Sequence, residues 1–387
     1  MASEQIHLSD LLQCLIKCSE KAARIAQILR NEDDLFQLLV EEKSDTEKNK
    51  RFVRNFRTLV VVLLRETILR DVAKQFPSLG SYICAEEHNS FQNSLGESIR
   101  VKLTDLEDET TALLSQVLDG RDHVAKLLAS VVHSNNSNYE KQCSSTSIIP
   151  ASGVGIWIDP IDSTSEYIQA RSEETNDLGM QQSGLKCVCV LIGVFDLRSG
   201  KPILGVVNQP FFNQEGDPPS WRSKYYWSLN YEGECITSAS LQNNLRQEYD
   251  DRKVVVVSSS EKKQLQETIS SKYRTVHAAG SGYKSLLVAC KMADLYVLSR
   301  DTTYFCETCA PHALLSAQGG GILKFNEIHN ATSIDSNDLV DKQVTYLLKD
   351  DKDGSVSFRN VDGLIAYRKP EDVIELFELL KGQKLQN

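Results

Sequence analysis

The sequence predicts a mixed α/β protein (α+β) in which helices pack on an antiparallel sheet and an alternating strand–helix half follows. Three observations carry this. Apolar residues recur at three- and four-residue spacing near the start, short β-branched and aromatic runs bounded by turn residues fill the middle, and strand-like and helix-like segments alternate after about residue 250. At 387 residues the chain exceeds one typical core, which favours two domains. The composition places the boundary near residues 240–252, giving an N-terminal unit of helices plus antiparallel sheet over 1–250 and a C-terminal α/β unit over 251–387.

Taken in order, Leu11, Leu15, Cys18, Ala22, Ile25 and Leu29 define an amphipathic helix over 8–30, with Ser9 or Asp10 as its cap. A second helix is expected at about 33–43. After a charged turn, a longer helix runs from about 51 and must end before Pro77. Residues 105–132 read as further helix, and the Ser- and Asn-rich stretch 134–152 as an exposed loop. Residues 155–159 read as a buried strand that ends at Pro160. Strands at 187–195, 203–207 and 225–229 extend the sheet, the first two joined through Arg198, Ser199 and Gly200. The second half opens with Val254–Val257, a fully apolar run expected to be buried on both faces, and a helix from Glu261. A helix introduced by 280–282, a strand at 294–299, a helix from Thr308 to about Gly319, the strand Leu364–Tyr367 and a helix from Pro370 to about Lys381 complete it.

Composition narrows the function. The longest apolar run, 59–64, is far too short to cross a bilayer. The first ten residues carry Glu4 and Asp10 without a basic segment leading into an apolar one, so no secretory signal is expected and the cytoplasm is the expected location. Ten cysteines in so long a chain read as reduced, mostly buried thiols. A net charge of −10 argues against a nucleic-acid surface but leaves room for a small phosphorylated ligand held by local cations. The expected partners are therefore small molecules, with no nucleic acid, no membrane and a monomeric chain. Cys306 and Cys309 lack a second Cys/His pair at zinc spacing, His312 reads as a packed core histidine, and neither a nucleophile elbow nor a Walker motif occurs.

Trp157-Ile158-Asp159-Pro160-Ile161-Asp162-Ser163-Thr164 carries the chemistry. Asp159 and Asp162 stand at the end of a strand and can share a cation. Hard ions such as Mg2+ take carboxylate and carbonyl oxygens, so the two aspartates and the carbonyl of Ile161 form half of a coordination shell. A helix entered after Thr164 would turn its N–H groups towards a phosphate.

This string resembles the D-P-[IL]-D-[SGA]-T signature of the magnesium-dependent, lithium-sensitive phosphomonoesterases, the inositol monophosphatase/fructose-1,6-bisphosphatase superfamily. The resemblance implies the layered α/β/α/β/α sandwich, with the site between two domains, two or three Mg2+ ions per site and Li+ as inhibitor. Ala85-Glu86-Glu87 matches the family's Gly-Glu-Glu, which makes Glu86 a metal ligand and Glu87 a ligand and catalytic residue. Cys306-Glu307-Thr308-Cys309-Ala310 matches Trp-Asp-x-x-Ala and puts Glu307 where an aspartate binds metal. Thr164 falls on the threonine that bonds the attacking water. Thr58-Leu59-Val60-Val61-Val62-Leu63-Leu64 falls on Thr-Leu-Ala-Asp-x-x-Leu, so Val61 replaces the aspartate that orients that threonine. Asp162, Ser163 and Thr164 are implied to face the reacting phosphate. Ser260, Lys262, Gly280, Ser281 and Lys284 are implied to hold an inositol ring and its second phosphate. Similar segments near 40, at 207–211 and at 363–367 favour the inositol polyphosphate 1-phosphatase branch, which acts on the 1-phosphate of inositol 1,4-bisphosphate and inositol 1,3,4-trisphosphate. Val61 and Glu307 imply a reduced rate. The alternatives are a pseudoenzyme that binds an inositol phosphate or a protein partner, and a nucleotide bisphosphate phosphatase of the same superfamily.

Overall fold

A computed structural model describes residues 4–32, 40–42, 56–85, 90–92, 98–118, 120–134, 142–169, 173–217, 220–242, 251–350 and 356–383. The elements that frame the site are α1 (Leu8–Asn31), α2 (Leu59–Gln75), β1 (Ile83–Ala85), α3 (Glu107–Val117), α4 (Asp122–His133), β2 (Val154–Asp162), α5 (Thr164–Gln169), β3 (Cys189–Asp196), β4 (Pro202–Glu215), β5 (Ser220–Tyr231) and β6 (Glu234–Thr237). After them come β7 (Val254–Val257), α6 (Lys263–Ser270), β8 (Arg274–His277), α7 (Ser281–Ala289), β9 (Leu295–Leu298), α8 (Phe305–Ser316), β10 (Gly321–Leu323), β11 (Leu364–Tyr367) and α9 (Pro370–Leu380).

Two sheets result. The first has the order β6-β5-β4-β3-β2-β1, antiparallel except for the parallel pair β1–β2. The second has the order β8-β7-β9-β11-β10, with β8, β7 and β9 parallel. Side chains alternate between faces along a strand, and the three apolar clusters follow that alternation. Ile156, Ile158, Val190, Ile192 and Val206 pack towards α1, α2 and α4. Trp157, Leu191 and Val207 face the other way and meet α7, α8 and one face of the second sheet. Val255, Val257, Val297 and Ile365, on that sheet's far face, pack on α6 and α9. The layers therefore run α/β/α/β/α, and the middle cluster draws on both halves of the chain.

The approach of α8 to the first sheet depends on two glycines. Gly193 and Gly205 oppose each other across β3 and β4. A Cβ on Gly193 would lie 2.5 Å from the Ala310 nitrogen, and one on Gly205 2.3 Å from the Ala310 oxygen. The helix backbone can lie directly on the sheet only because neither residue has a side chain.

Several segments differ from the sequence reading. Of the helix expected at 33–43, residues 33–39 lie outside the described residues, and Val40–Glu42 is a strand paired with Phe56–Thr58. The helix expected from 51 begins at Leu59, with 51–55 outside the described residues. The stretch 105–132 divides into α3 and α4 around Gly120, whose φ of +80° no helix accommodates. Within the expected loop 134–152, Ile148–Pro150 pairs with Gln5–His7. The strand expected to stop at Pro160 runs to Asp162. Its ladder to β3 shifts register between Cys189 and Leu191 and β1 pairs only as far as Ile158, so Pro160 sits where no N–H is required.

Candidate active site

β2 leaves the sheet through a tight turn that fixes both aspartates. The Ile161 N–H donates to Asp159 Oδ1 at 3.1 Å, and the Thr164 hydroxyl donates to the Ile161 carbonyl at 2.9 Å. Ser163 between them has φ +69°, a left-handed conformation costly for a residue with a side chain. Asp162 is only 3% exposed.

α7 is laid end-on against this turn. The Tyr283 N–H donates to Asp162 Oδ2 at 3.3 Å, with the backbone N–H groups of Gly282 and Ser281 alongside it. Gly280, at φ +76°, allows the contact, since a Cβ there would lie 2.2 Å from Ser163 Oγ; at Gly282 it would lie 2.9 Å from Asp162 Oδ2. Burial pushes the Asp162 carboxyl up to about 6, opposed by the Lys284 ammonium and these N–H groups. Lys284 is itself buried. Burial lowers its pKa against the attraction of Asp162 and Glu307. Its ammonium donates to the Ala278 carbonyl at 3.2 Å and lies 5.1 Å from the Tyr296 ring centroid.

α8 brings the third carboxylate. It begins at Phe305 instead of Thr308, which puts Glu307 in its first turn, where Oε2 accepts the Tyr304 N–H at 2.6 Å. Asn360 holds this helix start: its amide donates to the Tyr304 carbonyl and to the hydroxyls of Thr303 and Thr308 at 3.0–3.1 Å. One carboxylate oxygen each from Asp159, Asp162 and Glu307 lie within 4.8 Å of one another. The buried ammonium of Lys284 lies within the field of Asp162 and Glu307. That donor set, all carboxylate oxygen, suits a hard divalent cation such as Mg2+.

The other expected residues are placed unevenly. Glu86 and Glu87 lie outside the described residues; β1 stops just before them, with Ala85 paired to Ile158. Ile161 is buried, and its carbonyl already accepts the Thr164 hydroxyl. Ser260 and Lys262 follow β7 at the carboxyl edge of the second sheet, and among the described residues no hydrogen bond joins either to Asp159, Asp162 or Glu307. Ser260 is exposed and bonded to Ser258. The implied substrate contacts of Ser281 and Lys284 meet a physical obstacle: both side chains are buried, and Lys284 acts on the acids from within. Val61 is 6% exposed and belongs to the apolar cluster that contains Ile158 and Ile161.

Two side chains of this edge were not singled out in the sequence. Glu261 is buried and accepts the N–H and hydroxyl of Ser299 at 2.8 and 2.6 Å, tying the turn after β7 to the end of β9. The Tyr296 hydroxyl lies 3.5 Å from Ser281 Oγ, within the field of Glu307, Asp162 and Glu261. A buried acid beside a serine-rich turn was the one available signal for Glu261. His312 packs as expected, bonded to Tyr346 and Gln343 at 2.9 Å, and burial lowers its pKa to about 4. All ten cysteines are free thiols, with only Cys235 exposed and Cys84 half-buried.

Residues 11–347 match the sequence profile described as "Inositol monophosphatase family". The chain belongs to that family. An inositol polyphosphate 1-phosphatase of Bos taurus is 42% identical over 388 residues, covering 96% of this chain and 96% of that protein. A 3'(2'),5'-bisphosphate nucleotidase 1 of Dictyostelium discoideum is 31% identical over only 180 residues, 44% of this chain and 52% of that one. The inositol monophosphatase fold is also seen in the extragenic suppressor protein suhB of Bartonella henselae, which aligns over 97% of this chain and 100% of its own with a TM-score of 0.52 at 12% identity. No helix among the described residues is long and apolar enough to cross a membrane.

Proposed function

We propose that this chain is an Mg2+-dependent phosphatase that removes the 1-phosphate of inositol 1,4-bisphosphate and inositol 1,3,4-trisphosphate at a reduced rate, acting in the cytoplasm as a monomer with Li+ as inhibitor. The observation that carries the reading is the cluster of Asp159, Asp162 and Glu307, found in a chain that aligns over nearly its whole length with a phosphatase of that name. Glu86, Glu87 and the Ile161 carbonyl complete the proposed ligand set for two or three ions. When bound, Mg2+ neutralises phosphoryl oxygens, acidifies a water and stabilises the departing oxygen.

The chain's own residues set the orientation and the proton path. α7 holds Asp162 from below, and the acid of Glu307 is held at the start of α8. The Thr164 hydroxyl spends its proton on the Ile161 carbonyl, so it offers a water only an acceptor. With a valine at 61, no carboxylate on that face of α2 takes up a proton from Thr164, and this is the physical reason for a reduced rate. Ser163 and Thr164 would face the phosphate, while Ser260, Lys262 and the backbone at Gly280 would lie towards the ring.

The same valine favours a second reading, a protein that binds the inositol phosphate with little turnover. Phosphate release from inositol 1,4-bisphosphate with and without Mg2+ separates the two. Mg2+-dependent release is the expected result, and binding without any release establishes the second reading.

A further inference from the structure

The opposite face of the first sheet carries a feature of inverse charge. α1, the ends of α2 and α4 and the start of β5 enclose a cavity of about 810 Å³, within the range of roughly 300–1,000 Å³ usual for small-molecule sites. Lys17, Lys21 and Arg24, three or four residues apart, share one face of α1, and Lys74 and Arg222 close the ring from α2 and β5. Glu20 and Asp71 also line the cavity, and from outside its lining Asp105 pairs with Lys74 and Glu215 with Arg222, in a chain whose overall charge is −10.

The site has a fixed floor and a solvent-exposed rim. The side chain of Lys21 is only 11% exposed, and its ammonium donates to Asp71 and to the Val132 carbonyl. An ammonium has three donors, so one remains for a ligand. Arg24 is exposed and makes no ion pair among the described residues, while the pairs of Lys74 with Asp105 and Arg222 with Glu215 involve exposed groups, which water screens. Trp221 supplies an aromatic wall, edge-on to Phe211. A half-open cleft with cations on three sides focuses a positive field on an anion small enough to enter.

We propose that this cavity binds a small anion carrying two or more phosphate groups, at a site separate from the carboxylate cluster. The charges of the two places make them separable. Three carboxylates repel an anion when no cation is bound, whereas the cavity attracts it directly.

The test is calorimetric titration of the full chain with inorganic pyrophosphate in EDTA, followed in parallel by Trp221 fluorescence. Trp157 and Trp227 are buried, at 2% and 3% exposure, so a change in emission reports chiefly on the half-buried Trp221. The expected result is saturable binding that weakens with added salt, about tenfold or more weaker in the Arg24→Gln/Lys74→Gln double variant, and retained in Asp162→Asn. The two exposed substitutions leave folding intact, and Mg2+-dependent thermal stabilisation of the double variant checks this. No saturable binding in EDTA, or binding unchanged in the double variant, overturns the proposal.

Discussion

The turn after β2 and the facing part of α2 both border Thr164 in the family pattern, yet they differ in kind. The turn carries the charge: Asp159 and Asp162 accept backbone N–H groups, and Glu307 and the buried Lys284 complete a charge cluster in which Asp159 and Glu307 are half-buried. The α2 face is apolar, with Val61 packed among Val60, Leu63 and Leu64 in the same cluster as Ile158 and Ile161. In the proposed mechanism, attraction of a cation and its phosphate ligand depends on the first region, and the proton path on the second. One can lapse while the other persists, because they are built on different elements held together only by sheet packing.

The comparison breaks most severely at Asp162. Replacing it with asparagine removes the most buried acid of the cluster, and the expected result is loss of turnover by about 100-fold or more together with loss of the rise in melting temperature expected of the parent with Mg2+. An unchanged Mg2+ response would place the cation elsewhere. Gly193→Ala probes how α8 is seated: its new methyl has no room against Ala310, so a loss of about 1–3 kcal/mol is expected in denaturant unfolding, with weaker Mg2+ stabilisation because Glu307 moves with the helix. Full stability would show that α8 can shift without cost. The smallest effect is expected from Glu307→Asp. The shorter side chain gives up the bond to the Tyr304 N–H, worth about 1 kcal/mol or less, while a carboxylate stays beside Asp159 and Asp162. Melting temperature without Mg2+ should fall slightly and the Mg2+-induced rise should persist; abolition of that rise would mean the added methylene is essential.

The parts legible in the sequence were those decided locally. Val254–Val257 and Leu364–Tyr367 are apolar runs that can only be buried strands, and the spacing of Leu11, Leu15, Ala22 and Leu29 defines α1 to within a residue at each end. The D-P-I-D-S-T string located the turn, because its charge density and proline are unusual at a strand end. What the sequence did not show depends on distant partners. The start of α8 is set by Asn360, which lies 52 positions beyond Thr308. Pro160 is tolerated within β2 because β3 shifts register beside it. The inward aim of Lys284 follows from Gly280 and Gly282, which let α7 press against Asp162, and no periodicity encodes that.

The central claim is that the cluster retains its cation while Val61 withholds the proton path. Val61→Asp tests it most directly, by phosphate release from inositol 1,4-bisphosphate with and without Mg2+ beside the parent protein. The account predicts slow Mg2+-dependent release by the parent, about tenfold or more faster release by the variant, and a lower melting temperature of the variant without Mg2+, where the new carboxylate is buried unpaired. A parent rate that the aspartate leaves unchanged, in a variant that is folded and still stabilised by Mg2+, would contradict it.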